Sequence, residues 1–165
     1  MKWDELSEQP CLISRSLAVI GDRWTLLILR ELFLGVRRFD VIKENLGISR
    51  TVVAERLSVL VEEGVLRKEA YCERPLRHEY RLTRKGLDLY PILLTLFDWS
   101  RKHYPVEEGL PVIHVHRTCG KQTTPLLTCS ECGEELTARN VEARLGPGNQ
   151  ALTELNQKPR KAADV

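Results

Sequence analysis

No apolar run in the 165 residues approaches the roughly 20 needed to cross a bilayer. The opening Met1-Lys2-Trp3-Asp4-Glu5 lacks the apolar stretch of a signal peptide. These absences lead to the expectation of a cytoplasmic protein whose five cysteines are reduced. Reduced cysteines favour metal binding or redox sensing over structural disulfides. Excess charge is also lacking: 25 Lys and Arg face 23 Asp and Glu, a net +2, so total charge does not announce a nucleic-acid partner. There is no Ser-His-acid pattern, no phosphate-binding glycine loop and no His-rich open metal site, and the chain is not expected to be an enzyme. No repeat runs through the chain as a whole.

What is present is an ordinary globular composition, 42% hydrophobic and 29% charged, sufficient for one domain and a small appendage. Leu12, Leu17, Ala18 and Ile20 suggest a first short helix from Cys11 to Ile20, interrupted by Gly21-Asp22. From Trp24 to Leu34 the side chains are apolar nearly all round, which predicts a buried helix closed by Gly35, with Trp24 and Leu27 in the core. Phe39, also a core candidate, opens a third helix that Gly47 stops at Leu46. Ser49 is a good N-cap for the next. After it, Val52, Val53, Leu57, Leu60 and Val61 recur at helical spacing until Gly64, leaving Thr51, Glu55, Ser58 and Glu62 on the opposite side and Arg50 exposed in the first turn.

Val65-Leu66 opens a strand and Tyr80-Arg81-Leu82 closes a second, with the polar tip Glu73-Arg74-Pro75 between them. From Arg67 to Lys85 seven basic residues meet three acids, a local +4. Thr83 then caps a last helix reaching about Tyr104, apolar around its axis and expected to kink or split at Pro91. So small a chain cannot cover that surface alone, so burial against a second copy is expected. The predicted fold is mainly α with a small β-hairpin, a winged helix-turn-helix dimerising through terminal helices. Residues 1–10 form a flexible N-terminus, 11–104 the domain with its dimerisation helix, 105–113 a linker, 114–145 a zinc-knuckle extension and 146–165 a disordered tail.

The order of elements suits double-stranded DNA. A recognition helix must bury one stripe and push its other side into a major groove, while a basic wing reaches phosphates or the minor groove. The alternative is a protein-interaction module built on a winged helix with a zinc ribbon and no DNA binding.

Cys11, the stretch Gly21 to Leu32, Arg37-Arg38-Phe39, Ile48-Ser49 through Arg56-Leu57, Glu63-Gly64 and Glu79 to Thr83 together resemble the HxlR-type regulators of the wider MarR-like winged-helix group. Val36 departs from the proline often found before the Arg pair. The resemblance implies a homodimeric transcription regulator, most simply a repressor that answers an oxidant or a ligand, on a two-fold-symmetric operator. Carried over by position, Arg38, Arg50, Thr51, Ala54 and Glu55 face DNA from the helix-turn-helix, and Arg74 and Arg77 from the wing. Arg56 lies at the edge of the polar face and serves either DNA or a neighbouring acid. Tyr71 is expected to pack rather than to stack on a ligand.

His116-x2-Cys119-Gly120 and Cys129-x2-Cys132-Gly133 are two copies of one pattern. Each is a zinc knuckle, in which a tight turn aims backbone amides at sulfur and glycine accepts the turn. His116, Cys119, Cys129 and Cys132 supply four ligands, with His114 an alternative at the wrong spacing. A filled tetrahedron leaves no position for water, so the expected zinc is structural. Cys11 stands at a helix start, where free amides and Arg15 favour a thiolate, and is a candidate redox sensor alone or linked to Cys72 or to Cys11 of a second copy. The corresponding cysteine of some HxlR-type regulators senses oxidants or electrophiles.

Overall fold

A computed structural model describes residues 7–144 and 146. The expected disordered tail therefore lies, except for Gly146, outside the described residues, as do the first six residues of the expected flexible N-terminus. The elements are α1 (Leu12–Ile20), α2 (Arg23–Phe33), α3 (Phe39–Leu46), α4 (Arg50–Glu62), β1 (Leu66–Glu73), β2 (Leu76–Leu82), α5 (Arg84–Leu87) and α6 (Tyr90–His103). None of the helices searched is long and apolar enough to cross a membrane. Residues 16–125 pack as one unit; of the other described residues, 7–15 group with 126–144 and 146. Residues 114–125 of the expected 114–145 extension fall in the larger unit and those from Leu126 on in the other.

Each helix boundary has a local cause. The Asp22 carboxylate accepts the Trp24 amide (2.9 Å) at the start of α2. Gly47, at φ +61°, closes α3 in a left-handed conformation that a Cβ would disfavour. The Ser49 hydroxyl accepts the Val52 amide (3.3 Å) at the start of α4. Pro91 splits the last helix, as expected, by standing in the first turn of α6, where its missing N–H has no partner to lose.

The core of the larger unit joins Ile28, Leu29 and Leu32 of α2, Ile42 of α3, Val53, Leu57 and Leu60 of α4, and Val65-Leu66 at the entry to the hairpin. Each such side chain fully withdrawn from water contributes roughly 1.5–3 kcal/mol. Two expectations for α2 need correction. The helix is not buried all round: Thr25, Ile28, Leu29, Glu31 and Leu32 are buried, while Trp24 and Leu27 are half-buried and outside the core cluster. The reason is phase. Residues 25, 28, 29 and 32 form one stripe, and 24 and 27 flank it. The buried Glu31 is satisfied on both oxygens, by the Arg30 guanidinium (2.7 Å) and by the Asn45 side-chain amide (2.6 Å) of α3.

The hairpin is antiparallel, with Leu66 opposite Leu82, Lys68 opposite Tyr80 and Ala70 opposite His78, and a bulge between Ala70 and Cys72. Its base is bound twice to the helices. The Tyr80 amide donates to the Arg37 carbonyl (2.9 Å), so the α2–α3 connection runs along β2. The Val65 carbonyl accepts the Thr83 amide (3.0 Å) and hydroxyl (3.1 Å), fixing the start of α5 against the end of α4.

Gly86 lies directly over that junction. A Cβ there would collide with the Val65 carbonyl oxygen and touch the Leu82 side chain at 3.0 Å. Gly86→Ala should therefore destabilise the domain by about 1–3 kcal/mol, the usual cost of overpacking. Urea unfolding followed by far-UV circular dichroism checks this against the parent chain.

Candidate nucleic-acid interface and cysteine knuckles

Helix α4 buries Val53, Leu57 and Leu60 and leaves Arg50, Thr51, Ala54 and Glu55 exposed. The predicted polar face is thus present and begins in the first turn. Arg50 lies 5.0 Å above the Phe39 ring and 3.8 Å from Asp40. Both charged groups are solvent-exposed, so this pair is weak and its guanidinium is readily redirected. Arg38, the N-cap residue of α3, stacks its guanidinium 4.7 Å above the Tyr71 ring.

Arg38, Arg50, Ala54 and Arg77 meet around one depression of about 580 Å³, together with Lys68 and Tyr71 of β1. Thr51 and Glu55 are exposed further along α4, and Arg74 is exposed at the hairpin tip. Arg56 is half-buried, 3.9 Å from the Asp22 carboxylate that caps α2 and 3.6 Å from Glu55. Of its two expected roles, this geometry serves the ion pair. Lys68 and the platform role of Tyr71 were not anticipated. The signal for Lys68 was its even position, in phase with His78 and Tyr80; for Tyr71 there was none, because the bulge that turns it cannot be read from residue alternation.

The local +4 charge is sorted by strand alternation. Arg67, Glu69, Glu79 and Arg81 occupy odd positions and form a ladder, with Arg81 2.8 Å from Glu69 and 2.6 Å from Glu79, and Arg67 also on Glu69. The hydrogen bond from Arg67, with further positive charge from Arg81 and Arg37, holds the Glu69 carboxyl below its ordinary range. Lys68 and His78 occupy the other face, that of the depression.

Each cysteine knuckle is a tight hairpin. In the first, the His116 amide donates to the Lys121 carbonyl (2.9 Å), the Gly120 amide to the His116 carbonyl (2.8 Å) and the Thr123 amide to the His114 carbonyl (2.9 Å). In the second, thirteen residues on, Cys129 donates to Glu134 (2.8 Å), Gly133 to Cys129 (2.9 Å) and Leu136 to Leu127 (2.8 Å). The backbone is therefore repeated bond for bond, with Gly120 and Gly133 at φ +68° and +76°. In the first knuckle the Cys119 sulfur lies 3.4 Å from His116 Nδ1. In the second, the backbone amides of Cys132 and Glu131 and the Cys132 thiol hold the Cys129 thiol below its ordinary range. Among the described residues, no three His, Cys, Asp or Glu side chains are gathered as a metal cluster.

Cys11 is exposed just before α1. The backbone amide and hydroxyl of Ser14 and the amide of Ile13 hold its thiol below the usual range. The lowering thus arises at the helix start, and Arg15 is not among its causes.

Three helices around one core, a polar face on the third of them, α4, and a basic hairpin define a winged helix-turn-helix protein. Residues 19–108 match the model of the HxlR-like helix-turn-helix family, and the chain belongs to that family. The HTH-type transcriptional regulator Rv3095 of Mycobacterium tuberculosis (strain ATCC 25618 / H37Rv), itself uncharacterized, is 48% identical over 139 residues, which is 84% of this chain and 88% of that one. The HTH-type regulator YvaP of Bacillus subtilis (strain 168), also uncharacterized, is 38% identical over 87 residues, 52% of this chain and 81% of its own. Among solved structures, the candidate transcription factor PA1607 superposes with a TM-score of 0.75 at 31% identity, covering 85% of this chain and 98% of the other. The redox regulator HypR, in its reduced form, gives 0.53 at 26% identity, covering 59% and 98%. The protein is a DNA-binding transcriptional regulator of the helix-turn-helix class.

Proposed function

We propose that the chain binds a two-fold-symmetric operator as a homodimer and acts as a repressor by occupying it. Helix α4 enters the major groove with Arg50, Thr51, Ala54 and Glu55, while Arg38, Arg74 and Arg77 approach the backbone or the adjoining minor groove. The observation that carries this reading is the shared depression, where the first turn of α4 and the wing present Arg38, Arg50, Lys68 and Arg77 together. Arg56 works from behind, steadying α4 against α2 through Asp22. The dimer is supported by the exposed apolar side chains of α6, with Ile92, Leu96 and Trp99 each about half accessible, and of α1, with Leu12 and Ile13 mostly accessible. A monomer in water would be expected to cover such surface.

We further propose that His116, Cys119, Cys129 and Cys132 hold one structural zinc ion. Support comes from the donor set and from each knuckle taken by itself, since both have the same tight backbone turn and in the second the amides of Glu131 and Cys132 face the Cys129 sulfur. The zinc would supply no reaction. It would hold together a segment whose apolar content is too low to fold alone. Cys11, exposed and with its thiol lowered, is proposed as an oxidant-sensitive position, in keeping with the likeness to a redox regulator.

Three experiments test these readings. Arg50→Ala should cost about 1–3 kcal/mol of operator affinity and relax the preference at one position in each half-site, whereas Arg77→Ala should weaken binding to all sequences and flatten its salt dependence. Fluorescence anisotropy over a salt series reads both; parent-like binding by two folded, dimeric variants would remove the helix and wing assignment. Metal analysis after reducing purification should find one zinc per chain, and chelation should expose amides over about residues 114–140 to hydrogen exchange while the winged-helix core stays protected. Well under half an equivalent of zinc, or unchanged exchange, would refute the site. Mild diamide should lower operator affinity of the parent and spare Cys11→Ser. Equal loss in both would place the sensitivity in the knuckle thiolates, and no loss in either would leave Cys11 a structural residue.

A further inference from the structure

We propose that the cleft between the end of α2, the outer face of the wing base, α6 and the first knuckle strand binds a small amphipathic carboxylate. The cleft encloses about 760 Å³ and lies wholly within the larger unit. That volume falls in the range of about 300–1,000 Å³ usual for small-molecule sites. Its composition is one-sided. Four arginines line it (Arg37, Arg67, Arg81 and Arg117) and no Asp or Glu does.

Two of the four are already neutralised. Arg67 and Arg81 are held by Glu69 and Glu79 of the strand ladder. Among the described residues, no carboxylate pairs with Arg37 or Arg117. Arg37 feels the Glu69 carboxylate only from beyond ion-pair distance, so both guanidiniums keep N–H donors for a planar anion, which each can grip with two of them.

The other end of the cleft is apolar and built to a fixed shape. Phe33, Tyr90 and Leu94 line it. Phe33 packs on Tyr90 with ring centroids 4.7 Å apart, and His114 sets its edge against Phe97 at 4.6 Å and reaches Tyr90 at 6.4 Å. This aromatic row docks the chain after the linker onto α6 and so makes the far wall of the cleft. A ligand that fits has a ring or acyl body for this end and a carboxylate for the arginine end.

The four arginines do not line the candidate DNA depression. Arg67 and Arg81 point to the wing face opposite that of Lys68 and His78, which line the candidate DNA depression. The two faces are nevertheless linked. The Arg37 carbonyl accepts the Tyr80 amide of β2, and the next residue, Arg38, lines the depression. An occupant gripping Arg37 therefore bears on the segment that sets α3 and the wing, which gives an effector a short route to the DNA face.

The site goes beyond the operator reading and is tested without DNA, on the full-length, zinc-replete protein. Calorimetric titration and thermal unfolding would use sodium benzoate and sodium octanoate as probes. Benzamide supplies the ring without the charge, and sodium acetate at equal ionic strength supplies the charge without the body. Saturable binding and a raised Tm are expected with benzoate or octanoate and with neither control; which probe is tighter separates an aromatic from an acyl ligand. Arg37→Ala and Arg117→Ala should each weaken the tighter probe about tenfold, the loss of one charge-assisted hydrogen-bond pair. Leu94→Trp, which fills the apolar end and leaves both arginines, should abolish binding and guards against an arginine variant that folds poorly. The proposal is overturned if neither probe binds saturably up to millimolar concentration, if benzamide or acetate matches the probes, or if all three variants bind like the parent.

Discussion

Everything at the candidate DNA face depends on burial of one stripe of α4. Val53, Leu57 and Leu60 are wholly withdrawn from water against Ile28, Leu29 and Leu32 of α2 and Ile42 of α3. That burial fixes the helix about its own axis and so decides which residues remain outside. Rotation by a single residue would bring Ala54 and Ser58 inward and leave buried apolar area in water. The buried Glu31, joined to Asn45 of α3, and the Arg56–Asp22 pair hold the same three helices at their edges. Each such polar tie is worth little by area, but an unpaired buried carboxylate would be costly, so these contacts specify the packing more than they strengthen it.

The hairpin inherits its position from this core rather than from its own two strands, which alone would be marginal in water. Val65-Leu66 enters it from the buried side, Thr83 and Gly86 lock its exit on the Val65 carbonyl, and the Arg37 carbonyl receives Tyr80. With both ends tied, strand alternation does the rest. One face of the wing carries Lys68 and His78 beside α4; the other carries a closed ladder of Arg67, Glu69, Arg81 and Glu79. A count of charges along the chain treats these faces as one basic patch. The pairing shows two surfaces with different chemistry, one with unpaired cationic side chains beside α4 and one with its charges closed into ion pairs.

The C-terminal knuckles follow a different logic. Their backbone bonds repeat at a spacing of thirteen residues, yet almost all of their side chains are exposed. A segment with so little apolar burial has no core of its own to hold it. A metal bound by thiolates and imidazole is the usual substitute for a core at this size, and the turn itself accounts for glycine at the two positions of positive φ.

Local chemistry was legible in the sequence wherever a single residue decides the outcome. Ser49 capped α4, Gly47 ended α3, Pro91 split the last helix, and the Cys-x2-Cys spacing foretold a knuckle turn. Helical periodicity likewise assigned the buried and exposed sides of α4, because five apolar residues repeat at the right interval. Other features depended on neighbours distant in the chain. Trp24 and Leu27 read as core by hydrophobicity, but the position of α3 and α4 selected a different stripe of α2. Tyr71 became a platform for Arg38 through a strand bulge, and Arg56 became a partner of Asp22 through the approach of two helices thirty-odd residues apart in sequence. Sequence by itself determined the elements and the residue types offered at each surface; only tertiary packing decided which of those residues meet, because burial and ion pairing are properties of pairs.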